Sequence, residues 1–166
     1  LIASWPGFWM SAQQYPVPDV SLRDLDGKLI SASSIVPQGV PTLVIFWKST
    51  DGKCCENLDM YAEAWDATPR YKGIKMVAIC TDCNGSWTNL KPLVNGNDWE
   101  FETYADVNGD LKRAMNVGEG PCAMLYGHNQ DLLYRFSSAC TGSEEFICEN
   151  ILNRIEMDMT AANYKK

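Results

Sequence analysis

Seven cysteines carry most of the chemistry open to this chain: Cys54, Cys55, Cys80, Cys83, Cys122, Cys140 and Cys148. A thiolate is the nucleophile of disulfide exchange, and a second sulfur within reach resolves the mixed disulfide. Cys80-Thr81-Asp82-Cys83 is a C-x-x-C, a spacing that suits a redox pair, a structural disulfide or half of a metal site. Cys54 and Cys55 are adjacent, and neighbouring side chains on a helix point about 100° apart, so a bond between them needs a distorted backbone. Cys140 and Cys148 bracket the entry to a helix and read as a loop-to-helix disulfide. Seven is odd, so at least one thiol stays unpaired or pairs between chains. His128 is the sole histidine, placed between Gly127 and Asn129 in an expected turn. Cys/His zinc patterns therefore lack donors, and neither a metal nor a cofactor is expected.

Composition narrows the setting. The 166 residues suit one domain with one core. A net charge of −7 argues against non-specific nucleic-acid binding, which favours basic patches. The cysteine density points to an oxidising compartment or a metal site. No stretch approaches the roughly 18 consecutive apolar residues of a membrane helix. Leu1 to Ala12 is apolar and is followed by Gln13-Gln14. It reads either as the remnant of a signal segment or tether, or as an arm packing Trp5, Phe8 and Trp9 on the domain. The expected division is an arm at 1–15, one domain at 16–158 and a tail at 159–166.

The elements that position the cysteines follow from periodicity and turn chemistry. Asp19 to Leu22 and Leu29 to Ser31 flank an Asp-Gly turn and predict a hairpin. Thr42 to Trp47 is a continuous apolar run, the signature of a strand buried on both faces. Ser49 to Lys53 is a polar loop, and Leu58, Tyr61, Ala62 and Trp65 recur at helical spacing over about 54–71. Ile74 to Cys80 predicts the next strand, and Ser86 caps a helix holding Trp87, Leu90 and Leu93. Further strands are expected at 101–104, 122–126 and 132–136, with helices at 108–117 and 143–158. Alternating strands and helices imply an α/β fold with a parallel core sheet, extended by an antiparallel hairpin at the end. In such sheets, sites gather at the carboxyl ends of the strands. Cys54, Cys80, Cys83 and Cys122 are all expected at that rim.

Four segments, in order, carry a family resemblance: Pro18-Asp19-Val20-Ser21-Leu22 with Asp26-Gly27-Lys28; Phe46-Trp47-Lys48-Ser49; Tyr104-Ala105-Asp106 through Asn108-Gly109-Asp110-Leu111 to Val117; and Gly120-Pro121. Together they resemble the TlpA/ResA-like branch of the thioredoxin superfamily, which borders the AhpC/TSA peroxiredoxins. The resemblance spans about residues 16–157. It implies a thioredoxin fold, a central mixed sheet flanked by helices with an N-terminal β-hairpin extension. It also implies an extracytoplasmic bacterial thiol–disulfide oxidoreductase acting on cysteine-containing proteins or peptides, with a cis Pro121 presenting backbone groups of Gly120-Pro121 to the substrate chain.

The departure lies in the redox loop. Where the family reads W-C-x-x-C, this chain has Thr50-Asp51-Gly52-Lys53-Cys54, followed by Cys55. Asp51 stands in place of the attacking cysteine and Cys54 matches the resolving one. Asp51 suits a helix N-cap, and its charge disfavours a Cys54 thiolate. Two functions remain open. One is an oxidoreductase using Cys54 with Cys122, or Cys80–Cys83 as a shifted pair, with Trp47 beside the loop. The other is a redox-inactive module that binds peptides in the cis-proline groove. A peroxidase ranks below both, because Asp51 holds the position three before Cys54 where a peroxidatic site carries threonine, and the loop has no proline. Glu119 is a further candidate acid at the rim.

Overall fold

The computed structural model describes residues 16–83, 87–119, 122–136 and 144–164. Its elements run β1 (Ser21–Arg23), β2 (Leu29–Ser31), β3 (Thr42–Trp47), α1 (Gly52–Ala67), β4 (Lys75–Cys80), α2 (Leu90–Gly96), β5 (Glu102–Ala105), α3 (Asp110–Ala114), β6 (Cys122–Tyr126), β7 (Leu132–Phe136) and α4 (Glu144–Tyr164). One seven-stranded sheet has the order β2-β1-β5-β4-β3-β6-β7. β3, β4 and β5 are parallel, while β6, β7 and the β1–β2 hairpin pair antiparallel. The expected mixed sheet with an N-terminal hairpin is therefore present.

β3 lies inside this sheet, and all six of its residues are buried. Side chains alternate along a strand. Leu43, Ile45 and Trp47 join a core with Leu58 and Tyr61 of α1, Leu90 and Val94 of α2, and Ile151 and Ile155 of α4. Val44 and Phe46 join the opposite core with Leu22 of the hairpin and Leu111 of α3. Two covered faces explain why this strand shows no polar alternation.

Local chemistry sets the boundaries that periodicity left loose. The helix expected to reach residue 71 stops at Ala67, because Pro69 pushes the preceding residue out of the α region; Thr68 has φ −118° and ψ 105°. The turn continues as a 3-10 helix, Pro69–Gly73. The helix expected over 108–117 shortens to α3, bounded by left-handed Gly109 and Asn116, with φ 67° and 51°. Fully buried Asp106 starts α3 by accepting from the amides of Leu111 (3.2 Å) and Lys112 (2.8 Å). Leu90 to Gly96 is helical, but Trp87–Asn89 is 3-10, and Ser86 lies outside the described residues. α4 continues to Tyr164, so the expected tail at 159–166 is helical over 159–164. Gly27 turns the hairpin with φ 82°, and a Cβ there would collide with the Trp87 ring. Among the described residues no helix is long and apolar enough to cross a membrane.

Leu58→Ala should cost about 2–5 kcal/mol in chemical denaturation, since it hollows the core where α1 meets the sheet. Leu29→Ala, at an exposed site on the edge strand, should stay within about 0.5 kcal/mol.

Candidate active site at the carboxyl ends of β3 and β4

β3 and β4 run parallel in register from Thr42↔Lys75 to Trp47↔Cys80, so both strands end at one rim. The Trp47 carbonyl accepts from the Thr81 amide (2.9 Å) and hydroxyl (3.1 Å), which ties the two following loops together. A disulfide joins Cys80 and Cys83 across this rim, with Cα atoms 6.3 Å apart. Both cysteines belong to the core on the α1 side and are 0% and 3% exposed.

Asp82, between the two cysteines, clasps the loop that follows β3. Its Oδ1 accepts from the Ser49 amide (2.8 Å) and hydroxyl (2.9 Å). Its Oδ2 accepts from the Thr50 amide (2.9 Å) and hydroxyl (2.7 Å). Burial alone would raise this carboxyl, but the four donors outweigh it and lower the pKa below the ordinary carboxylate value. Oδ1 also lies 3.1 Å from Cys80 Sγ. The oxidised sulfur has no proton to donate, whereas a reduced Cys80 thiol would find this acceptor in place.

The clasped loop delivers Asp51 as the N-cap of α1, in extended backbone, with Oδ1 3.0 Å from the Lys53 amide. Gly52 and the exposed Lys53 open the helix. Cys54, only 2% exposed, packs one turn in, on the same face of the sheet as Cys80 and Cys83. Its pKa is raised, first by burial, then by the charge of Asp51 and a side-chain hydrogen bond to it, and further by Asp82; a hydrogen bond from the Lys48 amide opposes this only in part. The Cys54 proton is therefore held in place, although the thiol sits at a helix N-terminus. Half-buried Cys55 is shifted the same way, by burial first and then by Cys54, Asp59, Asp51 and Asp82.

Cys54 and Cys122, expected as possible partners, meet at the rim but pack into different cores. Cys122 pairs across strands with Phe46 and belongs to the opposite core, with Tyr126 and Leu111. Cys122 and Cys54 share the rim and border one small cavity of about 20 Å³, room for about one water. Their side chains nevertheless belong to opposite faces. Trp47 is buried beside Cys54, and its ring meets Trp99 edge-on at 5.5 Å. Gly120, Pro121 and Cys140 lie outside the described residues, and with Cys140 the expected Cys140–Cys148 bond. His128 sits in its expected turn, with Nδ1 3.3 Å from Asp158 Oδ2 of α4. The donor atoms of Cys80, Asp82 and Cys83 lie within 4.8 Å of one another. The disulfide engages both sulfurs, so in this state they offer a metal no thiolate.

Sequence reasoning missed the clasp. The only signal was an acid inside a C-x-x-C beside a Ser-Thr pair 33 residues upstream, and no periodicity connects them. Lys48 and Lys112, which flank Glu119, were missed as well.

The fold is thioredoxin-like. A model described as the AhpC/TSA family matches residues 14–135, and the chain belongs to that family. It is similar to a solved thioredoxin-like protein from Porphyromonas gingivalis, at 28% identity over 84% of this chain and 92% of that one, with a TM-score of 0.72. A secreted Mycobacterium tuberculosis disulfide oxidoreductase homologous to E. coli DsbE shares the fold at 16% identity, covering 80% and 94% of the two chains, with a TM-score of 0.66. Peroxidoxin BcpB from the same organism does so at 15% identity, covering 86% and 94%, with a TM-score of 0.67. No curated protein matches.

Asp82→Asn should destabilise the protein by about 2 kcal/mol at neutral pH, because it removes the charge that four donors serve. A carboxyl whose folded pKa is lowered contributes fully above its unfolded pKa of about 4 and loses that contribution as pH falls through the folded value. The gap between wild type and variant should therefore narrow in denaturation curves recorded below about pH 4.

Proposed function

We propose that this protein is a thiol–disulfide oxidoreductase of the bacterial cell envelope, of TlpA/ResA-like descent, acting on cysteine-containing proteins or peptides. Asp51 stands where the lineage carries its attacking cysteine, and the redox pair has moved to Cys80–Cys83 on the next strand. The observation that carries this reading is the disulfide at the carboxyl end of β4, beside the start of α1 and in the same core cluster as the Cys54 thiol. Family membership supports it, as does the fold shared with a secreted disulfide oxidoreductase.

In the oxidising direction, a substrate thiolate attacks one sulfur of the Cys80–Cys83 bond. That bond breaks, a mixed disulfide forms, and the leaving sulfur takes up a proton. A second substrate thiolate then displaces the protein sulfur, which is protonated in turn. The substrate dithiol loses two electrons and two protons and becomes a disulfide, while the protein gains both and becomes a dithiol. Both sulfurs are buried, so the incoming thiol reaches them when the Asp82 clasp on Ser49 and Thr50 opens.

The retained proton of Cys54 favours a second reading, a redox-inactive module that holds peptides along Gly120-Pro121. Exchange with a reduced dithiol peptide, quenched by alkylation and mapped by mass spectrometry, separates the two. An oxidoreductase should acquire label at Cys80 and Cys83 as the peptide becomes oxidised, and C80S/C83S should abolish this. D51C should raise turnover by about tenfold or more, because a thiolate at a helix N-terminus is activated. If Cys80 and Cys83 remain unlabelled and the peptide stays reduced, the binding module is the correct reading.

A further inference from the structure

Beside the site, two lysines converge on one glutamate. Lys48, directly after β3, places Nζ 2.6 Å from Glu119 Oε2, and Lys112 of α3 places Nζ 2.7 Å from Oε1. Each carboxylate oxygen thus has its own ammonium. The two sides of this contact differ in how firmly they are held. The lysine side chains are 28% and 20% exposed, so their stems are packed, whereas that of Glu119 is 79% exposed. Lys112 is further fixed by its amide, which donates to buried Asp106, and Lys48 adjoins the Ser49-Thr50 pair clasped by Asp82. The cations are the more buried half and the anion is the exposed half.

Exposed ion pairs are weak, so a solvated carboxylate leaves such a place readily. Its departure would bring two ammonium groups together without a counterion, an arrangement that attracts another carboxylate. The two lysines hold the Glu119 pKa down to about 2, so this group is an anion throughout the physiological range. The lysine pair is cationic although the chain carries a net charge of −7 and Asp82 also acts on Lys48. A carboxylate fits it in particular, since two coplanar oxygens are what Glu119 itself presents.

We propose that Lys48 and Lys112 form a clamp for an acidic side chain of the partner peptide, and that Glu119 fills the clamp as a tethered competitor. This deepens the proposed function by naming the kind of peptide the site takes, and its test involves no thiol chemistry.

The probes are a short acetylated peptide of alternating glycine and glutamate, its glutamine counterpart, and inorganic phosphate, titrated against isotope-labelled protein while amide shifts are followed by NMR. Glu119→Gln should bind the glutamate peptide about tenfold more tightly than wild type, because a tethered group competes at high effective concentration. Adding Lys48→Gln and Lys112→Gln should abolish that gain, and the glutamine peptide should not bind. Binding should weaken as salt rises towards about 0.15 M. Equal affinity of wild type and E119Q, gain that survives loss of both lysines, or shifts produced by phosphate but not by the glutamate peptide would each overturn the clamp. If E119Q proves poorly folded, K48Q/K112Q in the wild-type background decides: unchanged glutamate-peptide binding rejects the proposal. Loss of binding with disulfide exchange intact removes the clamp alone, and the converse removes the oxidoreductase alone.

Discussion

The parallel register of β3 on β4 is the constraint on which the site depends. Because Trp47 lies opposite Cys80, the two strands end together, and the loops that follow meet at once. A shift of one residue would turn every side chain of one strand to the other face. Either Trp47 or Cys80 would leave the core they share, and Asp82 would no longer face Ser49 and Thr50. Burial of β3 on both sides forbids that shift, so the apolar run Thr42–Trp47 fixes the position of a polar clasp it never touches.

At the start of α1, the N-cap position is held by a carboxylate. Asp51 caps the helix and also accepts from Cys54 three residues on, so the two side chains still meet. What changes is the direction of the electrostatic bias. A helix N-terminus favours an anion, and here that anion is the carboxylate, which leaves Cys54 neutral. Asp82 adds a second negative charge from the neighbouring loop. The disulfide, by contrast, lies at the end of the strand beside α1.

Much of the fold was legible in the sequence because it rests on contiguous signals. The run Thr42–Trp47, the Asp-Gly hairpin turn, and the strands at 122–126 and 132–136 coincide with the observed elements. Helix ends were less legible, since Pro69 and the left-handed Asn116 act through single dihedrals. The rim was legible as a location, because strand carboxyl ends are where such sheets place their sites. The face on which each cysteine lies was not, since that requires the cross-strand partner of Cys122, which turned out to be Phe46. Asp82 was hidden for a related reason: its four donors come from a segment more than thirty residues away, brought to it only by strand pairing.

The division of the cysteines between two faces bears on how the chain acquires its bonds. In the unfolded polypeptide, Cys122 competes for the same sulfurs as every other thiol. Once β6 zips onto β3, Cys122 packs with Phe46, Leu111 and Tyr126, while Cys80 and Cys83 join the core on the α1 side. Strand pairing therefore gives Cys122 different neighbours from the bonded pair. Among the described residues the α1 side holds four cysteines, Cys54, Cys55, Cys80 and Cys83, of which the last two are bonded.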